Sequence, residues 1–191
     1  MQVGIPTLSR MLAQRSMSEM MLRCNRRQLI VLSPLIMKTK NKYYHPVDLK
    51  KAKISYESPA HTKQFREGRL EHAIDFIVPE GTPIEAALEG IIIHIKDDSN
   101  ISGSDESFDK YGNYVEIKHA NEEYSIYEHI KKGSARVKVG DKVEAGQVIA
   151  LSGSTGWVAH LGPHLHFDVH KYFPPYGPED YKTLEIVFVK K

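Results

Sequence analysis

The 191 residues carry 26 Lys and Arg against 24 Asp and Glu, a formal charge of +2. That is enough chain for one domain with a sizeable core, and too balanced a field to hold nucleic acid by charge alone. The single cysteine, Cys24, excludes an internal disulfide and a cysteine-built zinc site, so any metal has to be held by histidine and carboxylate.

Residues 1–43 read as a basic N-terminal extension without β character. Arg10, Arg15, Arg23, Arg26, Arg27, Lys38 and Lys40 face Glu19 as the lone acid of the first forty residues, and four methionines fall within residues 11–21. "RRQLIVLSPLIMK" joins a basic flank to a short apolar run, but Pro34 interrupts it and no small-residue cleavage site follows. It is also too short to span a bilayer. Two readings stay open, a disordered or locally packed appendage and a remnant export or anchoring signal.

Residues 44–191 are expected to form one mainly β domain. "IDFIVPEGTPIEAALEGIIIHI" gives a strand, a Pro-Glu-Gly-Thr-Pro break and further apolar runs separated by Gly90. "KDDSNISGSDESFDKYG" reads as a solvated loop; its carboxylates lack EF-hand spacing. "NYVEIKH" and "EYSIYEHI" form the next strand pair, joined through Asn121. In the second of these, alternation places Ser125, Tyr127 and His129 on one face, with Tyr127 a candidate for the wall of a groove. "ARVKVGDKVEAGQVIALSG" suggests a strand through Val137 and Val139, a turn at Gly140-Asp141 and a second strand from Val143 to Leu151. No long amphipathic helix intervenes. The expected architecture is an antiparallel two-sheet sandwich or a partly open barrel.

The last clear strand, "GPHLHFDVH", alternates. Leu165, Phe167 and Val169 share one face, the core; His164, His166, Asp168 and His170 share the other. His164 and His166 are roughly 6 to 7 Å apart along the strand, so one can bind a metal while its neighbour touches a bound water. His170, roughly 13 Å from His166, lies beyond any shared coordination sphere and is expected as a surface histidine. Just upstream, in "STGWVAHLGPH", His160 reads as a rim residue and Trp157 either as a cover over a groove or as an aromatic closing a turn.

Taken together, "AIDFIVPEGTPIEAALEGIII", "GNYVEIKH", "YEHI", "VKVGDKVEAGQVIALSGSTG" and "GPHLHFDV" occur in an order and spacing that resembles the lysostaphin-type zinc metalloendopeptidases, over roughly residues 44 to 170. The resemblance implies a fold of the duplicated hybrid motif type and one Zn2+ per chain, held by a His, an Asp and the second His of His-Leu-His. Carried onto this sequence, it makes Asp75 and His166 metal ligands and His129 and His164 the catalytic histidines beside them. Which of the two is the general base is left open. No HExxH occurs, so the glutamate-base scheme of helical zinc proteases does not apply.

The first ligand departs from the commoner family pattern, which has a histidine four residues before the aspartate. Here Glu71 holds that place and His72 follows it. Strand parity turns His72 to the opposite face unless a bulge intervenes. Another branch of the family brings this ligand from an upstream loop, and "SPAHTKQFREGRLEHAIDF" resembles that arrangement with His61 as the ligand. His61 is therefore favoured over Glu71 and His72.

The resemblance implies a zinc endopeptidase acting on peptide bonds, foremost the cross-links of peptidoglycan; the balanced charge and the short apolar run add the expectation of no nucleic-acid partner and no transmembrane segment. That substrate would require an exported protein. A non-catalytic relative acting as a binding or regulatory module is the alternative, which retention of Asp75, His129, His164 and His166 disfavours. A biotinyl or lipoyl carrier module is the third, since "VKVGDKVEAGQVIA" also reads that way. Such modules need a modifiable lysine at a hairpin tip, whereas the Met37-Lys38 pair lies outside the β repeat.

Overall fold

The computed structural model describes residues 37–56, 61, 70–158, 161–172 and 181–190. The basic stretch up to residue 36 and His160 lie outside the described residues. Six strands occupy the first half of the β body: β1 (Lys53–Ser55), β2 (Ile74–Ile77), β3 (Pro83–Glu85), β4 (Gly90–Lys96), β5 (Ser102–Gly103) and β6 (Tyr114–Lys118). The others are β7 (Tyr124–Glu128), β8 (Lys142–Val143), β9 (Val148–Leu151), β10 (Gly156–Trp157), β11 (His164–Tyr172) and β12 (Tyr181–Thr183).

One large sheet dominates, in the order β1-β2-β11-β7-β6-β4-β8, with β12 also paired to β11. Its pairings are antiparallel. The sheet does not close into a barrel. β3 and β9 form a separate antiparallel pair, and β5 and β10 a short parallel one. The fold is thus mainly β and mainly antiparallel, as the alternating pattern requires.

The strands form where β-branched and aromatic residues alternate with polar ones, and the alternation sorts them into two faces. Phe76 on β2, Leu165, Phe167 and Val169 on β11, Tyr127 on β7, and Val115 and Ile117 on β6 are buried in one core. Ile84 of β3 and Ile149 of β9 belong to the same core. Tyr43 joins it from the N-terminal side, where residues 38–43 run alongside 185–188 through parallel bridges. The Tyr43 hydroxyl donates to Glu123 Oε2 at 3.0 Å. No helix among the described residues is long and apolar enough to cross a membrane.

Three local readings need correction. Tyr127 does not line a groove: it is completely buried, packs on Phe167 at 5.1 Å between ring centroids, and its hydroxyl accepts from the Ala87 amide. Residues 135–139 form no strand, and Val139 is exposed. Their backbone is taken up instead by loop contacts such as Arg136 N to Ile149 O. The acidic loop is partly structured, carrying β5 and a 3-10 helix at Glu106–Tyr111 whose N-cap Asp105 accepts from the Ser107 amide. The β6–β7 connection follows its expected path, with Asn121 in the left-handed region at φ 61° that asparagine tolerates.

Candidate metal centre

Pairing register assembles the centre. In β11, His166 stands opposite Asp75 of β2 on one side and opposite Glu128 of β7 on the other. Residues directly opposite in an antiparallel pair share a face, so Asp75 and His166 turn to the side of the sheet away from Phe76 and Phe167. His61 reaches the same point from outside the sheet. Its Nε2 lies 3.2 Å from His166 Nδ1 and 3.5 Å from Asp75 Oδ1, and His166 Nδ1 lies 3.0 Å from that same oxygen. All three side chains are buried.

These separations match the donor set of a tetrahedral zinc site. Ligand atoms about 2.0 to 2.1 Å from zinc stand about 3.3 Å from one another. Two imidazole nitrogens and a carboxylate oxygen converge at that spacing, while His61 Nδ1 and Asp75 Oδ2 are buried without hydrogen-bond partners among the described residues. His61, Asp75 and His166 form the group of three that could hold a metal ion among those residues. Glu71 is exposed, and His72 is half-buried with its backbone amide donating to Thr183 Oγ1. Neither belongs to the group.

The electrostatics also fit. Burial acts against the charge on Asp75, yet the hydrogen bond and charge of His166, with His61 and His164 beyond, hold its carboxyl down at about 2. Burial, then the neighbouring His166, pushes His61 down to about 4. His61 is therefore a neutral donor at pH 7. Burial opposes charge on His166 too, but Asp168 and Asp75 outweigh it and raise its pKa well above the ordinary value. The ring of His166 thus lies between two carboxylates, with Asp75 Oδ1 3.0 Å from Nδ1 and Asp168 Oδ2 3.7 Å from Nε2.

His129 and His164 stand together beside this group, ring centroids 4.5 Å apart. His164 shares the face of His166, and its Nε2 lies 3.8 Å from Asp75 Oδ1. His129 arrives by a different route. β7 ends at Glu128, and His129 adopts φ 64°, which breaks the strand alternation and swings its ring off the core-facing side occupied by Tyr127. Strand parity alone would group the two.

The tautomers of this pair follow from their partners. His129 Nδ1 is 2.7 Å from the Thr155 carbonyl and His164 Nδ1 is 2.8 Å from the Gly162 carbonyl. Carbonyls only accept, so each Nδ1 carries the proton and each Nε2 keeps its lone pair. Burial, then His164 and His166, pushes His129 down to about 3; burial likewise lowers His164. Both are neutral at pH 7. Thr155 is itself fixed, its Oγ1 donating to Ile130 O and accepting from the Asn113 amide. Next to it, Gly156 at φ 81° passes so close to Gly112 that an added Cβ would meet that residue's Cα at 2.6 Å.

Sequence reasoning missed Asp168, Glu116 and the setting of His170. His170 is buried, not a surface histidine: Nδ1 lies 2.7 Å from Asp168 Oδ1 and Nε2 3.1 Å from Glu116 Oε1. The alternating pattern of β11 already put Asp168 and His170 on the face of His166. What it could not reveal is that Glu116, brought in by β6, lies within reach. Trp157 is half-buried, with Nε1 donating to Ser104 O, so it ties β10 to the loop after β5.

A sequence model of peptidase family M23 matches residues 69–178. The chain belongs to peptidase family M23. The match contains Asp75, His129, His164 and His166 and begins after His61. Among M23-like relatives, an uncharacterized metalloprotease of Buchnera aphidicola is 35% identical over 144 residues, covering 74% of this chain and 35% of that protein. The peptidoglycan DD-endopeptidase ShyA of Vibrio cholerae is 38% identical over 95 residues, covering 50% of this chain and 19% of the relative. A crystal structure of a zinc-containing peptidase from Vibrio cholerae superposes with a TM-score of 0.50 at 30% identity, covering 68% of this chain and 36% of the other. This M23 chain therefore spans about a third or less of the length of these proteins.

Proposed function

We propose that the protein is a zinc-dependent endopeptidase that hydrolyses peptide cross-links of peptidoglycan and acts outside the cytoplasm. Membership of the M23 family and the name of the ShyA relative support the substrate class. One observation carries the chemistry: three donor atoms 3.0 to 3.5 Å apart, flanked by two neutral histidines whose Nδ1 atoms are taken by backbone carbonyls and whose Nε2 lone pairs have no backbone partner among the described residues.

In this reading His61 Nε2, Asp75 Oδ1 and His166 Nδ1 hold one zinc ion. When bound, zinc supplies an acidified water and polarisation of the scissile carbonyl. His129 and His164 do the proton work. An Nε2 lone pair takes a proton from the attacking water, and the protonated imidazole returns it to the leaving amine nitrogen. Thr155 and Gly162 hold the two rings so that these nitrogens face the reaction. Burial keeps both rings neutral, the state a base needs at pH 7.

The test is digestion of purified peptidoglycan and of defined cross-linked muropeptides, with products identified by mass spectrometry, before and after removal of metal by chelation. Cleavage of a peptide cross-link that stops on chelation and returns with zinc is the expected result. Binding of peptidoglycan without any cleavage, in zinc-loaded protein, would favour a binding module instead.

A further inference from the structure

Behind the candidate ligands, the polar face of β11 carries a buried carboxylate with one oxygen unused. Asp168 is fully buried. Its Oδ1 accepts from His170 Nδ1 at 2.7 Å, while its Oδ2 has no hydrogen-bond partner among the described residues and lies 3.7 Å from His166 Nε2. That nitrogen is the one His166 does not turn toward His61 and Asp75.

His170 is held in turn. Its Nε2 reaches Glu116 Oε1 on β6 at 3.1 Å, and Glu116 also meets the Tyr172 hydroxyl and, through Oε2, His94 Nδ1 at 2.7 Å. Tyr124, Tyr172 and Tyr181 place their rings 4.4 to 5.9 Å from that of His170. Carboxylates on both nitrogens and aromatic rings around them suit an imidazolium. A cation pinned this way fixes Asp168 Oδ1 and so aims Oδ2 at His166.

We propose that Asp168 is a positioning residue for His166, held in place by His170 and Glu116. With Oδ2 aimed at His166 Nε2 from 3.7 Å, Asp168 favours the tautomer that keeps its proton on Nε2 and points its Nδ1 lone pair to His61 Nε2 and Asp75 Oδ1, and so strengthens metal binding. The inference rests on the metal reading above. It gives the run from Asp75 through His166, Asp168 and His170 to Glu116 one purpose, which a set of unrelated buried ion pairs would not have.

Zinc affinity, measured by competition with a chromophoric chelator on the full chain, separates this from a purely structural role. Asp168→Asn is expected to bind zinc about 10- to 100-fold more weakly than wild type, with the near-ultraviolet circular dichroism of a folded protein. Glu116→Gln, which touches no ligand, is expected to weaken zinc binding several-fold, and to add little in the Asp168→Asn background because both act through one chain. The absorption spectrum of the cobalt-substituted protein should change in Asp168→Asn, since the ligand ring is no longer held.

A folded Asp168→Asn protein with wild-type zinc affinity would overturn the proposal, as would full additivity in the double variant. If Asp168→Asn does not fold, Glu116→Gln decides alone: unchanged zinc affinity rejects the chain. A wild-type protein that takes up no zinc fails the metal reading itself, and this inference with it.

Discussion

His129 and His164 meet with ring centroids 4.5 Å apart although one ends a strand in the left-handed region and the other opens β11. Each donates its Nδ1 proton in a hydrogen bond to a backbone carbonyl, so the pair presents two basic Nε2 nitrogens. Neither is among the three residues proposed to hold metal. His129→Ala and His164→Ala should therefore each lower turnover by about 100- to 10,000-fold while keeping one zinc per chain. Steady-state rates on a cross-linked muropeptide, paired with elemental analysis, check this; loss of the metal from either folded variant would reassign that residue.

His170 predicts a loss of stability in alkali. Burial disfavours its charge, but the carboxylates of Asp168 and Glu116 win and raise its pKa to about 9, against about 6.5 in an unfolded chain. A raised pKa stabilises fully below the unfolded value and the benefit drains away as pH rises from 6.5 through 9. The groups facing it are Asp168, Glu116, Tyr124, Tyr172 and Tyr181. Urea unfolding of the metal-free protein should show a decline between pH 7 and pH 10 that includes a His170 share on the order of a few kcal/mol. His170→Gln should be less stable at pH 7 and show a flatter decline; an unchanged slope would mean the imidazole is not charged in the fold.

Gly156 predicts a coupling between backbone and catalysis. With φ 81° and Gly112 Cα 2.6 Å from where a Cβ would sit, alanine must displace one chain or the other. The adjoining Thr155 carbonyl, which fixes the His129 tautomer, moves with it. Gly156→Ala is expected to cost about 1 to 3 kcal/mol of stability and to reduce turnover beyond that, read as a fall in kcat at temperatures where the protein is fully folded. Wild-type kcat in a folded variant would show that the Thr155 contact does not matter.

The β class, the core face of β11 and the shared face of His164 and His166 were legible because strand alternation is a local property. "HLHFDV" assigns Leu165 and Phe167 to the core and His164 and His166 to the opposite face, that of the candidate site, without reference to any other strand. Three features were not legible, each for a physical reason. Tyr127 and His129 share a parity in sequence, but a single positive φ at His129 separates them, and no side-chain pattern encodes that dihedral. His170 seemed too far along its strand to matter, because its partner Glu116 comes from β6 and tertiary pairing is invisible to spacing. Val137 and Val139 alternate as a strand would, yet their stretch makes only isolated contacts such as Arg136 N to Ile149 O of β9 and no strand ladder, which alternation alone does not supply. His61 stands between these cases: the sequence offered it as a loop-borne histidine in competition with Glu71 and His72, and the geometry brings it, rather than either of them, to Asp75 and His166.

That convergence is also where the account is most directly tested. Zinc content of the purified chain, measured by elemental analysis after zinc has been offered at neutral pH and excess removed, should be one per protein in wild type and in His72→Ala, and near zero in folded His61→Ala. A wild-type chain without zinc, or a His61→Ala chain that keeps one zinc while His72→Ala loses it, would contradict the proposed centre.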